Sequence, residues 1–417
     1  MIRLSAKLSK ILITSLGSGN KSSGYSKANY SIGGKTYEDK EFIAEALAEH
    51  LNIDKIYFFG TRSSIWDSVY KNFSRKIKNS NNSYSYDIES GLYEKIDSKS
   101  LNENDLELVS DVIDEYIGIQ GSKCFIIDYG LNDAELWNNF KKFLEIANFT
   151  NNNDEIYLDI THSFRSLAIM SFIMVQFIEQ IKNLDIKVEG IYYGMFEYSK
   201  ENDGITPVID LKMFYILSLW IRAINNFKHY GNGGMIYELI KDDSSIEKEV
   251  KDVFTHFNNN ISLGNVNNIK EAVQIIQRRM DAISSSSDPI IKEFLLPGLD
   301  DFIGKLTSAK TESIFQYNLS IWYYEIKNYA LSYIILSEAI ITKICEIKKT
   351  DTKDIDARKT AKNTIKGYEF NKVNEIYENV SKIRNSIAHE TALSGNAISS
   401  INNLHSYLEK LEKFFMQ

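Results

Sequence analysis

The chain changes character near residue 205, and that change limits its possible folds more than any other feature. Before it, short apolar runs rich in β-branched and aromatic residues alternate with helical patterns. The runs are Ile11-Leu12-Ile13, Lys55-Ile56-Tyr57-Phe58-Phe59, Cys124-Phe125-Ile126-Ile127, Ile156-Tyr157-Leu158-Asp159 and Val188-Glu189-Gly190-Ile191-Tyr192-Tyr193. Helix candidates lie between them at 38–51, 64–78, 104–117, 133–147 and 164–182. Continuous apolar runs suit strands buried on both faces, and strand-helix alternation builds a mainly parallel, doubly wound sheet. Ligands of such sheets bind beyond the C-terminal ends of the strands.

From Asp210 onward the pattern is helical, with candidates near 210–228, 245–258, 267–283, 289–305, 311–326, 329–348, 370–391 and 397–415. Breaks at Gly231-Asn232-Gly233-Gly234, Ser284 to Pro289 and Leu296-Pro297-Gly298 delimit them. Residues 349–368, rich in Lys, Asp and Thr, read as a mobile connection. The expected fold class is therefore α/β plus all-α, divided into 1–205, a helical connector at 206–308, and 309–417.

A net charge of -8 argues against a general DNA coat or a membrane-surface protein. The segment Thr342 to His389 runs the other way, with eleven Lys or Arg against seven Asp or Glu, and is a candidate patch for phosphate. Cys124 and Cys345 stand alone in apolar runs, which suggests neither a disulfide scaffold nor a zinc site. The N-terminus lacks a signal h-region, and the longest apolar stretch, Leu167 to Ile178, is shorter than a membrane span. A soluble, cytoplasmic setting without membrane partners is the expectation.

The strand-end loops are the most specific part of the sequence. They are Thr14-Ser15-Leu16-Gly17-Ser18-Gly19-Asn20, Gly60-Thr61-Arg62-Ser63-Ser64-Ile65-Trp66 and Asp159-Ile160-Thr161-His162-Ser163-Phe164-Arg165. Each offers small residues, hydroxyls and backbone N–H groups, and two open a helix whose dipole favours an anion. Taken singly, the first two are ordinary turn chemistry, and Asp159 and Thr161 suit a helix cap. Together on one rim they suggest a polyanionic ligand. No His or carboxylate cluster near them has metal-ligand spacing, and Gly17-Ser18-Gly19 lacks the third glycine of a dinucleotide fingerprint.

Near the C-terminus, Arg384-Asn385-Ser386-Ile387-Ala388-His389 combines a permanent cation with a group that titrates near neutrality. Metal-free RNA cleavage uses such a pair. Alone the spacing is weak evidence, since chance gives roughly 0.13 such pairs in a chain of this composition. Five residues of ideal helix turn through about 500°, so Arg384 and His389 project about 140° apart and one protomer makes an awkward site. Glu338, in the apolar helix Ile334 to Ile344, is a candidate partner for Arg384, the alternative being a contact with Lys343 or Thr342. His229 suits a helix C-terminal cation, and Tyr317, Trp322, Tyr323 and Tyr324 suit core packing.

The strand-end motifs, followed by Ile191-Tyr192-Tyr193-Gly194, Pro207-Val208-Ile209-Asp210-Leu211 and Trp220, resemble in order the N-terminal domain of CRISPR-associated CARF-HEPN ancillary ribonucleases of type III systems. The resemblance covers roughly residues 8–230, and the later helices match mainly through Arg384 to His389. It implies a Rossmann-like CARF domain at 1–205 that binds a cyclic oligoadenylate of four or six adenosines and switches on a helical HEPN ribonuclease at 309–417. Ser15, Leu16, Gly17, Ser18, Gly60, Thr61, Arg62, Ser63, Ser64, Asp159, Thr161, His162, Ser163, Arg165 and Tyr193 are the implied ligand contacts. Tyr193 offers a stacking face, and Arg165 or Arg62 offers charge. Arg384, Asn385 and His389 are the implied catalytic residues of metal-independent, single-stranded RNA cleavage, in a site completed across a homodimer or a higher oligomer. Ser163 departs from the family, which usually has Gly there, and leaves the ring size open. Two other readings stand beside this one. One is a sensor or scaffold with a silent HEPN site, and the other is a ring nuclease that linearises its own messenger.

Overall fold

The computed structural model describes residues 8–19, 25–77, 84–162, 165–181, 185–244, 246, 248–285, 293, 296–389 and 397–416. The chain divides into two compact units, Met1–Tyr215 and Ile216–Gln417.

The first unit is built on an eight-stranded mixed sheet. Its strands are β1 (Lys10–Leu16), β2 (Ala28–Ile32), β3 (Lys35–Lys40), β4 (Lys55–Gly60), β5 (Lys123–Ile126), β6 (Glu155–Asp159), β7 (Lys187–Gly194) and β8 (Ile205–Asp210), in the order β3-β2-β8-β7-β6-β1-β4-β5. The five runs read from the sequence form the parallel array β7-β6-β1-β4-β5. Consecutive residues of these strands are buried, Ile11, Leu12 and Ile13 on β1 and Phe58 and Phe59 on β4, as burial on both faces requires. Phe59 stacks on Phe125 and Phe143, while Phe58 meets Phe73. The helices are α1 (Ile43–Leu51), α2 (Trp66–Ser74), α3 (Tyr86–Asp97), α4 (Glu107–Ile117), α5 (Asp133–Glu145) and α6 (Arg165–Ile181).

Three strands and one helix were not expected: β2, β3, β8 and α3. β2 and β3 form a hairpin that turns at Gly33 and Gly34, both at positive φ. That dipeptide was the available signal, because a two-residue hairpin loop with both φ values positive favours glycine. β8 runs antiparallel to β7 and parallel to β2, so the sheet extends past residue 205.

The second unit is helical among its described residues. Helix α7 (Lys212–Tyr230) contains the division between the units, and α8 (Gly234–Ile240), α9 (Lys248–Leu263), α10 (Val266–Ser285), α11 (Leu296–Thr307), α12 (Glu312–Glu325), α13 (Tyr329–Ile347), α14 (Ile355–Thr364), α15 (Asn371–His389) and α16 (Ala397–Met416) follow. Its described residues include two cores. Phe227, Phe257, Phe302, Trp322 and Tyr323 belong to one, and Leu336, Ile340, Ile344, Val380, Leu404 and Phe415 to the other.

The structure corrects two sequence expectations here. Residues 349–368 are not a bare connection: they hold α14, started by Asp354, whose carboxylate accepts the Ala357 N–H at 2.7 Å. Leu296-Pro297-Gly298 is not a break but the first turn of α11, where proline has no N–H to leave unpaired. Most of the break at Ser284 to Pro289 lies outside the described residues.

Candidate functional site

Strand order places β7, β6, β1 and β4 side by side, so the loops after them share one rim. The register sets Thr14 opposite Asp159, Leu16 opposite Gly60 and Asp159 opposite Tyr192. Side-chain hydrogen bonds then fasten the loops to one another. Asp159 is buried; it accepts the Thr14 hydroxyl at 2.6 Å and the Thr161 N–H at 2.9 Å. The Thr161 hydroxyl oxygen accepts the Gly194 N–H at 2.9 Å, which carries the linkage from β1 through β6 to β7.

On the other side, Ser64 Oγ donates to the Leu16 carbonyl at 2.8 Å and accepts the Thr61 N–H at 2.9 Å. The Trp66 indole donates to the Thr61 carbonyl at 2.9 Å. A Cβ on Gly60 would stand 2.7 Å from Trp66 Cζ2, so only glycine lets the turn close on this indole. Thr61, Ser64, Asp159 and Thr161 therefore shape the rim from beneath.

Other groups face outward. Ser18 and Arg62 are exposed, Gly17 and Ser63 half-buried, and Arg62 Nη1 donates to the Leu101 carbonyl at 2.8 Å. Ser15 and Leu16 are buried in β1, and Tyr193, half-buried, sits opposite Ile209 in the β7–β8 ladder. His162 Nε2 is shut off from solvent and has no hydrogen-bond partner among the described residues. Burial lowers the imidazole pKa from its ordinary value, against a smaller opposing pull from Asp159. Ser163 and the Arg165 side chain lie outside the described residues.

The sequence reading missed one residue of this rim. Tyr25 stacks its ring on His162, centroids 4.2 Å apart, and its hydroxyl oxygen accepts the Gly17 N–H at 2.7 Å. No local pattern around Tyr25 announces this, because the contact forms only when the β1 and β6 loops are side by side.

The second constellation joins α13, α14 and α15. Glu338, on α13, divides its carboxylate between two arginines: one oxygen lies 3.2 Å from Arg384 Nη2 and the other 2.6 Å from Arg358 Nη2. The expected Glu338–Arg384 pair is present, while Lys343 Nζ turns to the Phe415 carbonyl. Arg384 Nη1 also meets Asn385 Oδ1 at 3.2 Å, and its side chain stays 36% exposed. Among the described residues these two contacts use one N–H from each Nη, out of the five a guanidinium carries.

Arg358, missed because its segment read as a connection, is fixed further by the Thr342 hydroxyl at 3.1 Å and the Thr352 carbonyl at 2.8 Å. Glu338, Arg358 and Arg384 together carry one net positive charge. Helix α15 runs unbroken through Arg384 and Asn385 to His389, so the wide angular separation read from the spacing holds along it. The His389 side chain lies outside the described residues.

The remaining candidates are structural. Tyr317 stacks on Phe415, Trp322 and Tyr323 are buried, Tyr324 is partly buried, and His229 lies in the last turn of α7. Among the described residues no helix is long and apolar enough to cross a membrane.

Comparison with known proteins gives two family matches. Residues 11–197 match the CARF domain of the CRISPR system endoribonuclease Csx1, and residues 216–311 match the second domain of the CRISPR-associated protein MJ1674. The chain is 30% identical over 425 residues to the CRISPR-associated protein MJ1674 of Methanocaldococcus jannaschii; this covers 97% of the chain and 66% of that protein. It thus spans just under two thirds of this relative's length. Among solved structures it is similar to Enterococcus italicus Csm6 bound to cyclic hexa-2'-fluoro-hexa-dAMP. That match has a TM-score of 0.42 and 12% identity and covers 97% of this chain and 93% of the other.

Proposed function

We propose that this chain, which carries a CARF domain match at residues 11–197, is an ancillary protein of type III CRISPR systems whose first unit binds a cyclic oligoadenylate and thereby switches on a HEPN ribonuclease in its second. The observation that carries this reading is the rim. Three loops on the neighbouring strands β6, β1 and β4 are fastened together from below, with Ser18 and Arg62 exposed, Ser63 half-buried, and Gly17 and His162 beside them in contact with Tyr25. A ring of four or six adenylates presents repeated phosphates to backbone N–H groups and Arg62, and bases to His162 and Tyr193.

A twofold pair of such rims matches a symmetric ring. Ile169 and Ile173, one helical turn apart on α6 and 65% and 50% exposed, favour a homodimer that covers them. A higher oligomer is compatible with the same pairing.

Arg384, Asn385 and His389 then cleave single-stranded RNA without metal. The ribose 2′-oxygen attacks the adjacent phosphorus, the P–O5′ bond breaks, and a 2′,3′-cyclic phosphate and a 5′-hydroxyl result. Arg384, held by Glu338 and Asn385, stabilises the charge on the phosphorane through its guanidinium, and His389 transfers a proton. With Arg384 and His389 about 140° apart on α15, two protomers together form each site.

The test is cleavage of single-stranded RNA by the full chain with cyclic tetra- or hexa-adenylate, with and without a chelator. Cleavage that depends on one ring and survives the chelator is expected. Cleavage that ignores both rings, or that stops with the chelator, overturns the reading.

A further inference from the structure

We infer that Tyr25 is a built-in occupant of the ligand rim, a tethered stand-in that the messenger displaces; this rests on the sensor reading above. Tyr25 makes the two kinds of contact that an adenylate would make there. Its hydroxyl oxygen accepts the Gly17 N–H at 2.7 Å, where a phosphate oxygen would bind, and its ring lies on His162 with an interplanar angle of 21°, where a base would stack. Gly17 permits the close approach, since a Cβ there would stand 2.8 Å from the Tyr25 oxygen.

Phe42 holds the ring from the side, edge-on at 5.4 Å, so the occupied arrangement is packed rather than incidental. Tyr25 lies between the end of β1 at Leu16 and the start of β2 at Ala28 and belongs to no strand, so it can leave the rim without unpairing the sheet. The His162 ring face and the Gly17 N–H are engaged until it does.

A competitor within the same chain lowers the apparent affinity of the free ligand by the fraction of molecules in which the site is open. Tyr25→Phe keeps the ring and its packing but removes the acceptor that holds Gly17. The expected result is binding of the messenger about three- to ten-fold tighter, the net worth of one hydrogen bond that the ligand no longer has to replace. Tyr25→Ala, which clears the His162 face as well, is expected to bind at least as tightly as Tyr25→Phe.

The experiment titrates the full-length wild type, Tyr25→Phe and Tyr25→Ala with fluorescent cyclic tetra- and hexa-adenylate, and follows hydrogen exchange at the Gly17 amide without ligand. Tighter binding by Tyr25→Phe together with faster Gly17 exchange supports the stand-in. Wild-type binding left unchanged by Tyr25→Phe, or weakened by Tyr25→Ala, makes Tyr25 a fixed wall of the site and overturns the inference while the sensor reading survives. Failure of all three proteins to bind either ring overturns the sensor reading, and the inference with it.

Discussion

Replacing Glu338 by glutamine removes the shared charge that holds Arg384 and Arg358 together while keeping the shape of the side chain. In the wild type the two carboxylate oxygens serve the two guanidiniums separately, at 3.2 and 2.6 Å. A glutamine has one acceptor and turns an N–H₂ toward one of the cations. The three side chains are 31%, 36% and 21% exposed, so water screens part of each attraction. A charge-assisted pair at this depth contributes about 1 kcal/mol after that discount, and losing both costs about 2 kcal/mol. For a unit of about 200 residues this lowers the melting temperature by about 4–8 °C.

The effect on RNA cleavage is larger than the effect on stability if the carboxylate orients Arg384. Loss of position at a phosphate-contacting group costs about 100-fold in kcat. The assay is a double-mutant cycle with Glu338→Gln and Arg384→Ala, read by messenger-activated cleavage and by thermal unfolding. Once Arg384 is gone, Glu338→Gln should remove little further activity. If Glu338→Gln melts early but cleaves at the wild-type rate, the carboxylate is only a structural link and the orienting argument is refuted.

The other predictions concern the same two constellations. Arg358→Ala leaves Glu338 to Arg384 alone, so melting should fall by about 2–4 °C while cleavage stays within about three-fold of wild type. A larger loss of rate would place Arg358 on the RNA. His162 has a folded pKa below its ordinary 6.5, so on acidification the unfolded chain takes up the proton first. That contribution to stability is present above about pH 6.5, is lost as pH falls from there toward the folded value, and levels off below it. Melting followed from about pH 8 to about pH 5 should therefore be steeper for the wild type than for His162→Asn; parallel curves would refute the assignment. Gly60→Ala drives a Cβ against Trp66 and Ser64 and should destabilise the first unit by about 1–3 kcal/mol, measured by denaturant unfolding.

The parallel strands were legible because residues such as Ile11, Leu12 and Ile13 are buried on successive sides, which leaves an unbroken apolar run. The β2–β3 hairpin was not, since β3 buries only Tyr37 among exposed or half-buried polar residues, and only Gly33-Gly34 marks it. Helix α14 escaped for a similar reason. It buries Ala361 alone, and its polar composition reads as a loop until Asp354 is seen to cap it. In the rim of strand-end loops, the sequence shows which loops carry Asp159, Thr161 and Ser64 but not which way their side chains turn. Whether a hydroxyl faces a ligand or a neighbouring loop depends on contacts between distant segments, such as Thr14 with Asp159. Tyr25 was illegible for the same cause.

The place of β8 has a practical consequence for anyone isolating the first unit. β8 lies between β7 and β2, so a fragment cut at residue 205 would lose the strand that joins the β2–β3 hairpin to the rest of the sheet. One side of β7 and one side of β2 would then carry unpaired N–H and C=O groups, a template for intermolecular strand pairing. Such a fragment would precipitate or multimerise for reasons unrelated to ligand binding, and a negative binding result with it would say nothing about the intact rim.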